Sequence, residues 1–305
     1  MKLIFFIDSL MKVLLTGSNG QLGRSIIDTK PKNIDLIITN KEQLDLSKIS
    51  SCEKLIIKEK PDWVINCAAF TAVDKAEENI DLSNLINGYA LRAFTNAINK
   101  TNGKLLHIST DFVFDGKQNF PYRTNQKTNP INQYGYSKAL GERLIEKESK
   151  GFNNAKILRT SWVLSPYGNN FALKMLNLHE EKEQIKVVTD QIGTPTSAKY
   201  LAITCWKIIN YKETEKLPQI MHWCDSGVAS WFDIAIAVGE IGLELGIIKK
   251  KAIIYPIKSK DYRLPANRPK YSILDTEITS NILKLRPNHW RMNLFEILTK
   301  FKKNH

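Results

Sequence analysis

Several features are scarce in this chain, and each scarcity removes a class of protein. No apolar run approaches the roughly 18 residues of a membrane span, so no membrane-embedded part is expected. Cys52, Cys67, Cys205 and Cys224 stand far apart, with no CxxC pair and no metal-ligand spacing. That argues against a zinc site and reads as reduced, mostly buried thiols of a cytoplasmic protein. Internal repeats and low-complexity tracts are missing, and no long segment lacks apolar residues, which removes disorder. The basic excess, +13 with a pI near 9.4, lacks the aromatic-interleaved stripe of a nucleic-acid binder. It is mostly lysine and scattered, dense only at Lys249 to Lys251 and at Lys302 and Lys303. We read it as a solvated surface, mildly attractive to an anionic cofactor and substrate, with no nucleic-acid partner.

What remains is an ordinary globular composition, 43% hydrophobic and 25% charged over 305 residues. The apolar patch Leu3 to Ile7 is broken by Asp8 and is shorter than the roughly 15–30 residues of a secretory signal. Residues 1–10 are read as a short tail or an early start codon, with Met11 the better start. From Lys12 the chain alternates strand and helix: strands at Lys12 to Thr16, Ile34 to Thr39, Trp63 to Cys67, Lys104 to Ile108 and Lys156 to Arg159. Between them lie amphipathic stretches, among them a helix from Gln21 stopped by Pro31 and another through Lys54 to Lys60. Continuous apolar strands separated by such helices predict a doubly wound parallel α/β sheet of the Rossmann type, covered on both faces. After about residue 160 the rhythm weakens. We expect a dinucleotide-binding domain over 11–160 and a smaller, mainly substrate-binding subdomain over 161–305, with some segments returning to the sheet.

The first strand runs straight into Gly17-Ser18-Asn19-Gly20-Gln21-Leu22-Gly23, which opens the first helix. Spaced glycines there permit a tight turn and close approach to a pyrophosphate, and the helix N-terminus offers N–H donors and partial positive charge. The spacing is GxxGxxG, which resembles the short-chain dehydrogenase/reductase superfamily. An acidic residue ending the second strand would select NAD; here stand Asn40 and Lys41, with no carboxylate before Glu42. Lys41 and Arg24 are candidate partners for a 2′-phosphate, so NADPH is the expected cofactor, with NADH left open. The residues assigned to it here are Gly17, Asn19, Gly20, Gln21, Leu22, Gly23, Asn40, Lys41, Asp45, Leu46, Tyr134 and Lys138.

Tyr134 and Lys138 lie four apart near the start of a helix and share one face. An ammonium beside a phenol lowers its pKa, so Tyr134 is expected to be acidified and to protonate a carbonyl oxygen as hydride arrives. Tyr136, offset by two residues, points elsewhere. Ser109-Thr110-Asp111 follows an apolar strand, placing hydroxyls where parallel sheets bind ligands; Thr110 can hydrogen-bond the substrate oxygen.

Taken with Asn66 to Glu77, Ser109 to Gly116, Arg159 to Val163, Asp190 to Thr196, Arg268 to Asp275 and Trp290-Arg291, the chain from Met11 resembles the dTDP-4-dehydrorhamnose reductase family. The resemblance implies reduction of a dTDP-linked 4-keto-deoxysugar to dTDP-L-rhamnose, a polysaccharide precursor, with Thr110, Tyr134 and Lys138 as catalytic residues. It also implies Ala68, Ala69 and Thr71 along the cofactor, and Thr71, Val73, Thr110, Asp111, Phe112 and Trp162 near the sugar. Arg268 would help hold the dTDP end. Asp74, Lys75 and Glu77 are read as a helix charge cluster without a part in the chemistry.

Phe112 stands where the family often has tyrosine. Ser25 stands where some members carry a glutamate ligand to a metal at a dimer interface, so no metal is assigned, and a homodimer has no support in the sequence. Related dehydratases place a glutamate after Thr-Asp, which Phe112 cannot replace. The alternatives are a reductase of another 4-keto-deoxysugar nucleotide and a non-catalytic NADP-binding subunit like the beta subunit of methionine adenosyltransferase.

Overall fold

Residues 10–304 are described in the structure, a computed structural model. The expected N-terminal tail, Leu10 apart, lies outside the described residues. Five strands, β1 (Met11–Thr16), β2 (Ile34–Ile38), β3 (Trp63–Asn66), β4 (Lys104–Thr110) and β5 (Ala155–Thr160), join the short strand Ile220–His222 in one sheet. From one edge the order is Ile220–His222, β5, β4, β3, β1, β2, and every pairing is parallel.

Alternate residues of a strand face opposite sides of a sheet, and here both sides are apolar. Val13, Leu15, Ile65, Leu106 and Leu158 pack with Ile26 of helix Gln21–Asp28 and with Leu201 and Trp206 of helix Ala198–Ile209. Leu14, Val64, Leu105 and Ile157 turn the other way, onto Ile56, Phe94, Ile98 and Ile145 of the helices Ile49–Glu59, Ala90–Thr101 and Gln133–Glu148. Each such side chain contributes about 1.5–3 kcal/mol by leaving water. This two-sided burial is why the strands read as unbroken apolar runs.

From β1 the chain goes to β2 on one side and then returns to β3 on the other. Strand order therefore reverses between β1 and β3, and a crevice opens at their C-terminal ends. Beyond Thr160 a second core forms from Leu164, Leu176, Ile185, Ile234, Val238, Ile241, Trp290 and Leu294. Helix Ala198–Ile209 and strand Ile220–His222 lie against or within the main sheet. No helix among the described residues is long and apolar enough to cross a membrane.

Of the boundaries that differ from the sequence reading, most move by one residue and two bear on the core and the site. The helix expected from Lys54 begins at Ile49. Its early turns contain Ser50 and Ser51, weak helix formers, but Cys52 and Ile56 are both fully buried one turn apart, so packing overrides propensity. The fourth strand runs past Ile108 to Thr110, with Ser109 opposite Arg159 and Thr110 opposite Thr160.

One buried ion pair ties helix Gln133–Glu148 to the sheet. Arg159 Nη2 lies 2.6 Å from Glu142 Oε2, with the two side chains 2% and 3% exposed, and Arg159 Nε donates to Oε1 at 2.9 Å. The Ser109 hydroxyl donates to the same carboxylate, and the guanidinium lies over the Phe114 ring. Replacing Glu142 by alanine leaves a desolvated cation unpaired, and urea unfolding should show a loss of about 3–5 kcal/mol. A loss below about 1 kcal/mol, the worth of an exposed pair, would contradict this assignment.

Candidate active site

A cleft of about 710 Å³ opens at the C-terminal ends of β1, β3, β4 and β5. Gly17, Asn19, Gly20, Gln21, Leu22 and Gly23 line its floor. Gly17 has φ +69°, and a Cβ there would stand 2.7 Å from the backbone nitrogen of Ala68, so only glycine lets the two segments touch. Gly20 caps helix Gln21–Asp28 without any side-chain hydrogen bond, and no acidic residue sits in the first turn. The helix thus presents free N–H donors and partial positive charge to the cleft, which suits a pyrophosphate.

Asn40, Lys41, Asp45 and Leu46 line the far end. The Asp45 carboxylate accepts from the Ser47 amide and hydroxyl, and these bonds hold its pKa below the usual value. Of the two cations considered for a 2′-phosphate, Lys41 lines the cleft. Arg24 does not; its guanidinium lies over the Tyr167 ring. Ala68, Ala69 and Thr71 form the wall after β3, and Thr110, Tyr134, Lys138 and Trp162 close the other end.

The helix Gln133–Glu148 brings Tyr134 and Lys138 to that end. Asn132 caps it, its Oδ1 accepting from the Gly135 amide at 2.8 Å, and Glu77 accepts from the Gln133 amide at 2.9 Å. The acidification expected of Tyr134 is not what the structure shows. Burial pushes its phenol up to about 12, a hydrogen bond with Thr110 pulls the other way, and the Asp111 carboxylate raises it further. The reason is where the lysine points: its Nζ donates to the Ile108 carbonyl at 2.7 Å and meets His107 Nε2 at 3.0 Å. Burial brings Lys138 itself down to about 7, with Glu142 and Cys67 opposing that fall.

Four assigned residues do not line the cleft. Asp111 is buried beneath it, accepting from the Thr110 hydroxyl at 3.0 Å, and burial raises its carboxyl to about 6. Phe112 sets its ring edge against Tyr134, centroids 5.7 Å apart. Val73 begins the helix Val73–Glu78. Arg268 is forked onto Asp74, with Nη1 to Oδ1 at 3.2 Å and Nη2 to Oδ2 at 2.8 Å. The acidic residues of that helix are therefore more than a charge cluster: Asp74 orients Arg268, and Glu77 fixes the start of the helix that carries Tyr134. Trp162 has φ +43°, a left-handed conformation that costs a bulky residue about 1–3 kcal/mol. It is held there by stacking on Trp231, centroids 3.8 Å apart, and by close packing on Gly193.

Sequence reasoning missed Asn87. It lies in a π-helical turn, Leu85–Tyr89, where its Oδ1 accepts from the Phe70 amide and its Nδ2 donates to the Phe70 carbonyl and the Ser137 hydroxyl. The signal was present, a lone amide among Leu85, Ile86, Ala90 and Leu91.

The chain belongs to the RmlD substrate binding domain family. Its model matches residues 11–303. The spore coat polysaccharide biosynthesis protein SpsK of Bacillus subtilis is 38% identical over 94% of this chain and 96% of its own. A dTDP-4-dehydrorhamnose reductase of Clostridium acetobutylicum superposes with a TM-score of 0.87 at 34% identity, covering 96% of this chain and all of that one. The dTDP-4-dehydrorhamnose reductase of Bacillus anthracis, solved in complex with NADP, gives 0.86 at 32% identity over 95% of this chain and 99% of that one.

Asn87→Leu should lower stability by about 1–3 kcal/mol through unpaired buried groups and speed hydrogen exchange at the Phe70 amide. Exchange at wild-type rate would mean that the wall after β3 is held by something else.

Proposed function

We propose that this chain reduces the 4-keto group of dTDP-4-dehydro-6-deoxy-L-mannose to dTDP-L-rhamnose, using NADPH, for polysaccharide synthesis. The observation that carries the reading is the convergence of Thr110, Tyr134 and Lys138 at the end of a cleft whose floor is a glycine turn and an uncapped helix N-terminus. Gly17, Asn19, Gly20, Gln21, Leu22 and Gly23 would hold the pyrophosphate of a dinucleotide, Asn40, Lys41, Asp45 and Leu46 would serve its adenosine end, and Ala68, Ala69, Thr71, Tyr134 and Lys138 its nicotinamide end. Bound NADPH supplies the hydride. A cation at Lys41 and the absence of a free carboxylate at the end of β2 support NADPH over NADH.

Tyr134 gives its phenolic proton to the sugar O4 as C4 becomes tetrahedral, and the Thr110 hydroxyl holds that oxygen in place. Lys138, as an ammonium, steadies the phenolate left behind and reaches the nicotinamide ribose. Thr71, Val73, Asp111, Phe112 and Trp162 shape the sugar end, and Arg268 serves the dTDP diphosphate through charge-assisted bonds. Residues 11–160, with helix Ala198–Ile209 and strand Ile220–His222, act as the dinucleotide unit, and the rest of 161–305 as the sugar unit. The four free thiols support a cytoplasmic setting.

Tyr134→Phe should cut kcat by about 10²–10⁴ while leaving the Kd for NADPH, followed by nicotinamide fluorescence, within about threefold. Full turnover in that variant, or tight NADPH binding with no reduction of the sugar by wild type, would refute the proposal. A second check is pH. Lys138 works as a cation and its folded-state value lies near 7, so its charge is present below that pH and is lost above it. kcat/KM, which reports the free enzyme, should therefore fall above about pH 7, with Tyr134, near 12, still protonated throughout. A flat profile from pH 6 to about 9 would contradict the role given to the lysine.

A further inference from the structure

Behind Lys138 runs a buried chain of side chains. Thr16, the last residue of β1, donates its hydroxyl proton to Asn66 Oδ1 at 2.5 Å and accepts from the Ala68 amide at 3.3 Å. Asn66 Nδ2 lies 2.9 Å from His107 Nδ1, and His107 Nε2 lies 3.0 Å from Lys138 Nζ. All four residues are at most 2% exposed. Each proton along this line therefore needs a protein acceptor, and one on Lys138 has the Ile108 carbonyl.

The tautomer of the ring limits the form that Lys138 can take. Burial, with the neighbouring lysine, keeps the His107 ring neutral, so it carries a single proton. When Asn66 Nδ2 donates to Nδ1, that proton sits on Nε2 and points at Lys138, which accepts it only as an amine. When the amide is turned over, Asn66 Oδ1 accepts from Nδ1–H, its Nδ2 donates to the Thr16 hydroxyl oxygen, Nε2 is bare, and the lysine can donate to it either as an ammonium or as an amine. An ammonium has no lone pair, so the Nε2–H ring excludes it by setting two donors against each other.

We infer that His107, oriented by Asn66, is a positioning residue for the reaction, because only its Nδ1–H tautomer leaves room for Lys138 as an ammonium. Thr16 directly precedes the Gly17 turn, so the line begins at the loop assigned to the pyrophosphate and ends at the lysine. The other ionisable groups around Lys138 are Tyr134 and Glu142 on its own helix, Cys67 just beyond β3, and Asp111 beyond Tyr134. Glu142 is already engaged by Arg159. None of these has a proton whose position depends on Asn66.

The inference rests on the catalytic role given to Lys138, but its physical content is measured separately. In full-length wild type, the ¹⁵N shifts of His107 and the ¹⁵Nζ signal of Lys138, identified by its loss in Lys138→Met, are followed by NMR across pH. The ring should be the Nδ1–H tautomer below the lysine midpoint. A ring that stands as the Nε2–H tautomer while the lysine is an ammonium overturns the inference. Asn66→Asp offers acceptors only and holds the Nδ1–H tautomer, so the lysine midpoint should rise by about one unit, and the alkaline limb of kcat/KM should move with it. A carboxylate also acts through space, and His107→Leu separates the two effects: in that background the rise should vanish. If it persists, through-space charge is responsible and the relay through His107 is wrong. Were Lys138→Met to turn over at wild-type rate, the catalytic reading would fall while the tautomer measurement still stood.

Discussion

A primary amine almost sealed from water inside a protein holds its proton only as well as its neighbours allow. At Lys138 they allow it incompletely: one backbone carbonyl from Ile108, one imidazole from His107, and a Glu142 carboxylate already engaged by Arg159. Desolvation of an unpaired ion costs several kcal/mol, and this partial set of partners leaves the group near neutrality at about 7. Fuller pairing would fix the charge permanently, and an apolar pocket would remove it. Much of the surrounding structure serves this balance. β4 places Ile108 and His107 beside the lysine, and the helix carrying it approaches so closely that a Cβ at Gly141 would collide with the Asn87 carbonyl.

The two carboxylates nearest the site act in opposite senses. Glu142 is satisfied by a guanidinium fork and a hydroxyl, and it locks the helix to β5. Asp111 has no cation beside it, and burial raises its carboxyl to about 6. Its charge disfavours a phenolate at Tyr134. For a tyrosine that must deliver a proton, that is useful: a phenol near 12 is fully loaded at neutral pH and parts with its proton only when something stabilises the product. In the proposed reaction the ammonium of Lys138 would do so in the transition state, without having acidified the group beforehand. The expectation of a pre-acidified tyrosine came from assuming that residues four apart on a helix face must pair in the resting protein.

How far the site was legible in the sequence follows from the range of each interaction. The glycine turn, the uncapped helix start, the strand-end hydroxyl of Thr110 and the Tyr134–Lys138 spacing are local patterns, and their positions followed from local rules. The missing carboxylate after β2 was equally local. What sequence reasoning could not reach were pairings between distant segments. Arg268 and Asp74 stand 194 positions apart, and either alone reads as a surface charge. His107 sits mid-strand among Leu105, Leu106 and Ile108, where a lone histidine reads as core. Its meaning appears only when β3 places Asn66 on one ring nitrogen and the helix places Lys138 on the other. Asn87 left one local sign, an amide in an apolar run, but the π-helical turn that carries it leaves no periodic trace.

In the role proposed for Arg268, such a distant pairing would shape recognition. A guanidinium has five N–H donors. Asp74 takes one from each terminal nitrogen, and the Ala266 carbonyl takes the second on Nη1. Nε–H and one hydrogen on Nη2 remain. The carboxylate cancels much of the side chain's net charge while fixing its plane, so whatever anion it meets is selected less by long-range attraction than by the direction of two donors. That division suits a surface already rich in lysine, where attraction for phosphates is general and orientation has to come from a rigid contact. Asp74 occupies the first turn of the short helix whose Glu77 also sets the start of the helix carrying Tyr134. The arginine fork and the proton donor are thus referred to one piece of backbone, and a shift of either relative to the other would have to move Val73–Glu78 as well.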